Sequence, residues 1–213
     1  MEQFKQTQSA GTQLEQQRKV FDHYVRELRL SEEDLQKQIL DVGSEFGEFA
    51  NEAKRRGYNG VVSLDADHPD DADGNFEKPK EFGAGKFVVA DSRSIPFATN
   101  QFDLVVSVYS MPHVLGGRTK RIFKKRVEKA VSEMIRVTKV GGEVRFGGVP
   151  LLDGANRVYD RGEQLRRVLK KIDSSLEVSE EGESVNQYSD EKNQLHEVRD
   201  GLIRIRKLAD ISV

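Results

Sequence analysis

Three aspartates raise the first chemical question. Asp41, Asp65 and Asp91 each stand at or near the end of a short apolar run, and Asp65 follows Asp41 by 24 residues. An ionised carboxylate accepts two hydrogen bonds side by side, which suits Asp65 to a pair of vicinal ribose hydroxyls. Asp91 can accept from an exocyclic amine such as that of adenine. Between the first two lies Asp41-Val-Gly-Ser-Glu-Phe-Gly47. Its glycines allow a turn at which the backbone approaches a ligand closely, and a helix starting there presents free N–H groups. Gly43-Ser-Glu-Phe-Gly47 does not fit the Gly-x-Gly-x-x-Gly fingerprint of dinucleotide sites, and no Lys-containing phosphate loop accompanies it. These residues point to a nucleoside ligand without a pyrophosphate.

To act together, the three acids must sit on successive strands of one sheet. Gln38-Ile-Leu-Asp-Val-Gly reads as a buried strand, and Phe46 to Arg56 has helical spacing (Phe46, Phe49, Ala50, Ala53) that stops at Gly57. Val61–Asp65, Lys86–Asp91 and Phe102–Val108 read as the next three strands. Thr119 to Thr138 is expected to be a helix with Phe123, Val127, Ala130, Val131 and Met134 on one face, and Glu143–Phe146 a fifth strand after Gly141-Gly142. Asn156–Ile172 reads as another helix. Leu176–Val178 and Leu202–Leu208 can pair as two closing strands, separated by the very polar stretch Ser179–Asp200. Short apolar strands alternating with helices predict an α/β fold, a doubly wound, mostly parallel sheet of seven strands with helices on both faces.

Ahead of the sheet, residues 1–11 read as a flexible polar tail and 12–37 as an N-terminal helical cap, leaving 38–213 as the main domain. The cap holds an amphipathic helix from Thr12 to Leu30, with Leu14, Val20, Phe21, Tyr24, Val25 and Leu28 on its apolar stripe, and a short helix or turn capped by Ser31. One segment departs from the alternating pattern. Between strands two and three, Pro69, Gly74, Pro79, Gly83 and Gly85 break any crossover helix over Asp67–Gly85, which predicts a loop.

Composition narrows the chemistry further. The chain has 213 residues, no Cys, and 34 Lys+Arg against 36 Asp+Glu. Lack of cysteine excludes a disulfide scaffold, Cys-ligated zinc or iron–sulfur sites, and thiol catalysis. No apolar run approaches the about 20 residues needed to span a bilayer, and Met1–Ala10 is polar where a signal peptide would be apolar, so a cytoplasmic protein is expected. The formal net charge of −2 is a cancellation. Seven acids and two Lys lie between Asp65 and Glu81, whereas ten Lys/Arg and three Glu lie between Arg118 and Arg145. Such blocks are ordinarily solvated faces; the basic run Arg118, Lys120, Arg121, Lys124, Lys125 and Arg126 is also suited to steer an anionic acceptor or RNA. His23, His68, His113 and His196 form no ligand-spaced cluster, so no metal is expected. The Asp71-Ala-Asp73-Gly74-Asn75 stretch lacks the first and closing ligands of a calcium loop.

With these residues in place, Ile39 to Phe146 resembles the class I S-adenosylmethionine-dependent methyltransferases of the small type 11 kind. The resemblance is carried by Ile39-Leu-Asp-Val-Gly-Ser-Glu-Phe-Gly-Glu-Phe, Val62-Ser-Leu-Asp65, Asp91-Ser-Arg-Ser-Ile-Pro-Phe-Ala-Thr-Asn-Gln-Phe-Asp-Leu-Val-Val-Ser and Glu133-Met-Ile-Arg-Val-Thr-Lys-Val-Gly-Gly142. It implies a Rossmann-like sheet with an antiparallel C-terminal strand, S-adenosyl-L-methionine as cofactor and S-adenosyl-L-homocysteine as product. It also implies residue roles. Asp41, Gly43, Ser44, Glu45 and Gly47 would surround the methionine end, Asp65 would take the ribose, and Ala66 would flank the adenine. Asp91 and the Ser92 N–H would meet the base, and Ser107 would lie beside the transferred methyl. Glu45 occupies the position where the family most often has its middle glycine, a substitution that fits when the side chain points away from the ligand.

His113 is the first candidate general base and Tyr109 the second, each with a packing role as the alternative. The leading expectation is methyl transfer to a small-molecule acceptor. The alternatives are an RNA or protein acceptor held by the basic rim 118–126, or a cofactor-deficient interaction module.

Overall fold

A computed structural model of the chain describes residues 2–66, 86–111, 120–150, 165–171, 176–189 and 195–209. Four helices and seven strands follow in the order α1 (Glu2–Glu27), α2 (Glu32–Leu35), β1 (Ile39–Val42), α3 (Glu48–Arg55), β2 (Val61–Asp65), β3 (Lys86–Val89), β4 (Phe102–Val108), α4 (Lys120–Val137), β5 (Thr138–Pro150), β6 (Leu176–Ser189) and β7 (Leu195–Lys207). Residues 165–169 form a further helical segment. The strands make one seven-stranded sheet in the order β3-β2-β1-β4-β5-β7-β6. Pairings from β3 to β5 are parallel, and β7 runs antiparallel to both β5 and β6. The order reverses between β1 and β4, so the carboxyl ends of those two strands flank the crevice where such sheets bind ligands.

The expected elements recur with three differences. Helix α1 begins at Glu2, so residues 2–11 continue the helix that the sequence predicted from Thr12. Strand β5 starts at Thr138, well before the expected Glu143. The polar stretch Ser179–Asp200 does not separate the closing strands; it lengthens them into a hairpin paired as far as Ser189↔Leu195. Cross-strand hydrogen bonds satisfy the backbone whether or not the side chains meet a core, so apolar runs alone end such strands too early. The predicted loop Asp67–Gly85 and the first part of the helix predicted from Asn156 lie outside the described residues.

Two apolar layers cover the sheet. On one face Leu40, Val42, Val105 and Phe146 pack with Val127, Val131 and Met134 of α4 and with Leu165 and Leu169. On the other, Ile39, Leu104 and Val106 pack with Phe21, Tyr24 and Leu28 of α1 and with Phe49 and Ala53 of α3. The Phe49 ring stacks on Tyr24 at 4.6 Å and on Phe21 at 5.5 Å, and the Arg56 guanidinium lies 4.2 Å over Phe21. Helix α3 closes with the two hydrogen bonds of a Schellman motif, Gly57 N to Lys54 O and Tyr58 N to Ala53 O, and Gly57 takes the left-handed φ of +94° that this ending requires.

A buried ion pair joins the helical cap to the sheet. Arg145 on β5 donates through Nη1 to Asp34 Oδ2 at 2.9 Å and to the Leu28 carbonyl at 3.2 Å, while Nη2 lies 2.9 Å from Glu143 Oε2. Asp34 also completes the capping box of α2, accepting from the Ser31 N–H, and it accepts from Lys37 Nζ at 2.8 Å. Burial alone would raise the Asp34 carboxyl, but hydrogen bonds from Lys37, the Ser31 backbone and Arg145 outweigh it and hold the group well below the usual carboxylate range. Replacing Arg145 by Ala removes one of the two cations on buried Asp34 and the partner of Glu143, and is expected to cost about 3 kcal/mol in urea unfolding. Because the folded-state value is depressed, the stability Asp34 contributes is present above the ordinary carboxylate range and lost as pH falls through the folded value. Asp34→Asn should therefore be less stable than wild type at neutral pH, with the gap closing in acid.

Candidate functional site

The turn after β1 is built from alternating left-handed residues. Gly43, Glu45 and Gly47 have φ of +77°, +48° and +71°. The Gly43 and Ser44 N–H groups both donate to the Leu64 carbonyl, tying the turn to the end of β2. A Cβ on Gly43 would fall inside the contact envelope of the Ser110 hydroxyl and Cβ, so this position is closed to any side chain. Gly47 is the N-cap of α3 and covers the Ser63 hydroxyl, where an added Cβ would come within 3.1 Å. Glu45 keeps the glycine-like backbone at the middle position and turns an exposed side chain to solvent.

Asp65, at the end of β2, accepts from the Glu45 N–H through Oδ2 at 2.9 Å. A cavity opens beside this contact, lined by Gly43, Asp65, Ala66, Asp91, Ser92 and Arg93, with Ser110, Met111 and the α4 residue Arg126 also on its wall. Five of the cofactor-site candidates, Gly43, Asp65, Ala66, Asp91 and Ser92, line this one space, whereas Asp41, Ser44, Glu45, Gly47 and Ser107 are not on its wall. The loop that carries Asp91 is pinned to α4: Glu133 accepts from the Ile95 N–H, and Arg136 donates to the Ile95 and Phe97 carbonyls. The Arg136 guanidinium also holds the Glu133 carboxyl below its ordinary range.

Asp41 lies beneath the turn, fully buried, and neither carboxylate oxygen has a hydrogen bond of regular geometry. Burial drives its proton affinity well above that of an ordinary Asp; the nearby Tyr24 hydroxyl offsets part of this, and Asp65, Glu48 and Glu45 add to it. Glu48 is raised as well, first by burial. The hydroxyls of Ser44, Ser63 and Ser107 are also buried without partners. The sequence places the helix Thr12–Leu30 as a cap on the acceptor side but does not pair its Tyr24 with Asp41, because that juxtaposition spans elements far apart in the chain.

The two candidate bases fare differently. His113 lies outside the described residues. Tyr109 has a left-handed φ of +52°, and its ring packs between His23 of α1, stacked at 5.4 Å and 13°, and Gly148, where an added Cβ would strike the ring. Cavity-lining positions beside it are Ser110 and Met111. His23 Nδ1 lies 2.6 Å from Arg26 Nη2. Among the described residues no group of acids and histidines is arranged to hold a metal ion, and no helix is long and apolar enough to cross a membrane.

Comparison with known proteins agrees with this geometry. The profile of the methyltransferase domain family matches residues 40–146. No curated protein sequence matches the chain. A S-adenosylmethionine-dependent methyltransferase of Methanosarcina mazei is similar in structure, with 17% identity, 85% of this chain and 95% of that one covered, and a TM-score of 0.54. The [4+2]-cyclase SpnF shares 17% identity over 89% of this chain and 80% of its own, with a TM-score of 0.56. The structure describing conversion of a disulfide bond into a thioacetal group during echinomycin biosynthesis shares 20% identity over 79% and 75%, with a TM-score of 0.54. At these identities the likeness is one of fold.

The left-handed turn makes opposite forecasts for two of its residues. Gly43→Ala adds both a clash and backbone strain and should lower stability by about 2 kcal/mol or more; adding Ser110→Gly should recover the steric part only. Glu45→Gly relieves the strain and should raise stability by up to about 1 kcal/mol. Urea unfolding of the single and double variants reads both.

Proposed function

The chain belongs to the methyltransferase domain family, and on that premise we propose that it transfers a methyl group from S-adenosyl-L-methionine to a small-molecule acceptor, leaving S-adenosyl-L-homocysteine. The observation that carries the reading is the convergence of Asp65, Asp91 and the Gly43 turn on one cavity. The residues present suit such a cofactor. A glycine that can be nothing else gives close backbone approach, and the buried Asp41 carboxylate with its acidic neighbours suits a cationic amino-acid end. Asp65 is assigned to the ribose hydroxyls and Asp91 with the Ser92 N–H to the adenine. Asp41, Gly43, Ser44, Glu45 and Gly47 form the methionine end, Ala66 flanks the base, and Ser107 closes the β4 side.

The sulfonium of the bound cofactor would supply an electrophilic methyl for in-line displacement. The protein's part is then positioning and exclusion of water, with the acids of the turn favouring positive charge. Tyr109 and His113 stay assigned to the acceptor side, Tyr109 as a wall held by His23 and Gly148. An RNA or protein acceptor would draw on Arg121, Lys124 and Lys125 of the basic rim; of that rim, Arg126 lines the cavity itself. The exposed Glu45 side chain removes the main reason to regard the site as cofactor-deficient. A cytoplasmic location belongs to the same proposal and rests on composition.

Thermal melting with S-adenosylmethionine and S-adenosylhomocysteine tests the reading. Both should raise the melting temperature, and the absence of any rise at millimolar ligand would overturn it. Asp65→Asn keeps an acceptor for the Glu45 N–H but loses charge, and should weaken binding by about tenfold or more. A positive ligand favours ionised Asp41, so S-adenosylmethionine affinity should rise with pH through the Asp41 titration, and Asp41→Asn should flatten that slope in calorimetry.

A further inference from the structure

The carboxylate assigned to the adenine amine already has a partner. Asp91 Oδ1 accepts from the Arg93 N–H and from Arg93 Nε, each at 2.8 Å. Oδ2 accepts from Arg93 Nε at 2.9 Å and, in a shorter contact, from Nη2. A carboxylate offers about four lone-pair sites, and three donor groups of one residue two positions along the loop, with the Nε–H shared between both oxygens, already engage it. The two side chains are 41% and 37% exposed, so the pair stands at the cavity mouth rather than in the core. Both residues line the same cavity, and the loop beneath them is fixed to α4 through Glu133 and Arg136. The backbone is therefore held while the guanidinium is the part able to move.

We propose that Arg93 is a specificity-determining residue of the cofactor site, one that competes with the exocyclic amine of the adenine for Asp91. The proposal rests on the assignment of Asp91 to the base. An amine approaching the carboxylate competes with the guanidinium for its lone pairs, so binding is an exchange of partners. Arg93 keeps the carboxylate ionised in the meantime, holding it at about 2, with Lys129 of α4 adding a smaller share. A base with a carbonyl in place of the amine cannot make the exchange, since it offers Asp91 no proton while Arg93 offers several. The ion pair thereby sharpens the preference for an amine-bearing purine and lowers affinity for every ligand of the site.

Calorimetry with S-adenosylhomocysteine on the full chain distinguishes the outcomes. Arg93→Met should bind about two- to five-fold more tightly than wild type at low salt, the range set by a partly exposed ion pair. Wild type should tighten as salt is raised, because screening weakens the competitor, whereas Arg93→Met should not. Arg93→Lys, which keeps the charge without the fork, should lie between. The Arg93 Nε resonance should move when ligand is added to unaltered protein, a readout independent of how any variant folds. Unchanged or weaker binding by Arg93→Met would overturn the proposal. Equal affinity of wild type and Asp91→Asn would instead refute the adenine assignment on which it rests.

Discussion

A guanidinium can remain buried only when acceptors surround it, and the fold depends on one that is. Arg145 sits in the sheet at 5% exposure, between Asp34, Glu143 and the carbonyl at the end of α1. Apolar burial would hold α1 somewhere against the sheet, since it is indifferent to register. The directional bonds to Arg145 fix where. They set α1 so that Tyr24 faces Asp41 and His23 meets Tyr109, placing a helix from the start of the chain over the carboxyl ends of β1 and β4. The site is thus completed by an element outside the nucleoside-binding core.

Charge within the site is graded along the cavity. Asp41, Glu45, Glu48 and Asp65 gather at the turn after β1, while Arg93, Arg126 and Lys129 gather near Asp91. The near-neutral sum of the whole chain hides this division. Under the proposed assignment, a ligand with a positive sulfur and ammonium at one end and a neutral base at the other would meet attraction at the first and competition at the second. The two ends therefore respond to salt in opposite senses, because screening weakens the attraction and the competitor alike.

The three strand-end aspartates were legible because period and apolar runs define strand ends locally, and the glycines marked the turn for the same reason. Arg93 on Asp91 was not, although only one residue separates them, because the contact depends on how the loop turns after β3. Ser110 against Gly43, Tyr24 beside Asp41 and His23 on Tyr109 join residues from different elements and leave no periodic trace. One signal was available. Arg145 falls inside the predicted strand Glu143-Val-Arg-Phe146, and a cation in a central strand calls for a buried acid elsewhere. The capped run Ser31-Glu-Glu-Asp34 offered candidates, but nothing local selects Asp34. Strand limits were least legible where pairing, not apolarity, sustains them, as in β5 and the β6–β7 hairpin.

The same groups that fit the site for a ligand work against the resting fold. An Asp41 carboxylate fully buried and crowded by other acids, with only the Tyr24 hydroxyl to offset this, is costly to ionise. A non-glycine residue in a left-handed turn adds strain at Glu45. Neither is needed to hold α3 or the sheet, since the Leu64 carbonyl already anchors the turn and the aromatic stack of Phe21, Tyr24 and Phe49 already anchors the helix. Stability is thus drawn from Arg145 and the two apolar layers, while Asp41 and Glu45 burden the turn beside the cavity. On the proposed reading, a cationic ligand would recover at the turn what the resting protein forgoes there, and the coupling between binding and stability would then reside in Asp41 more than in the apolar core.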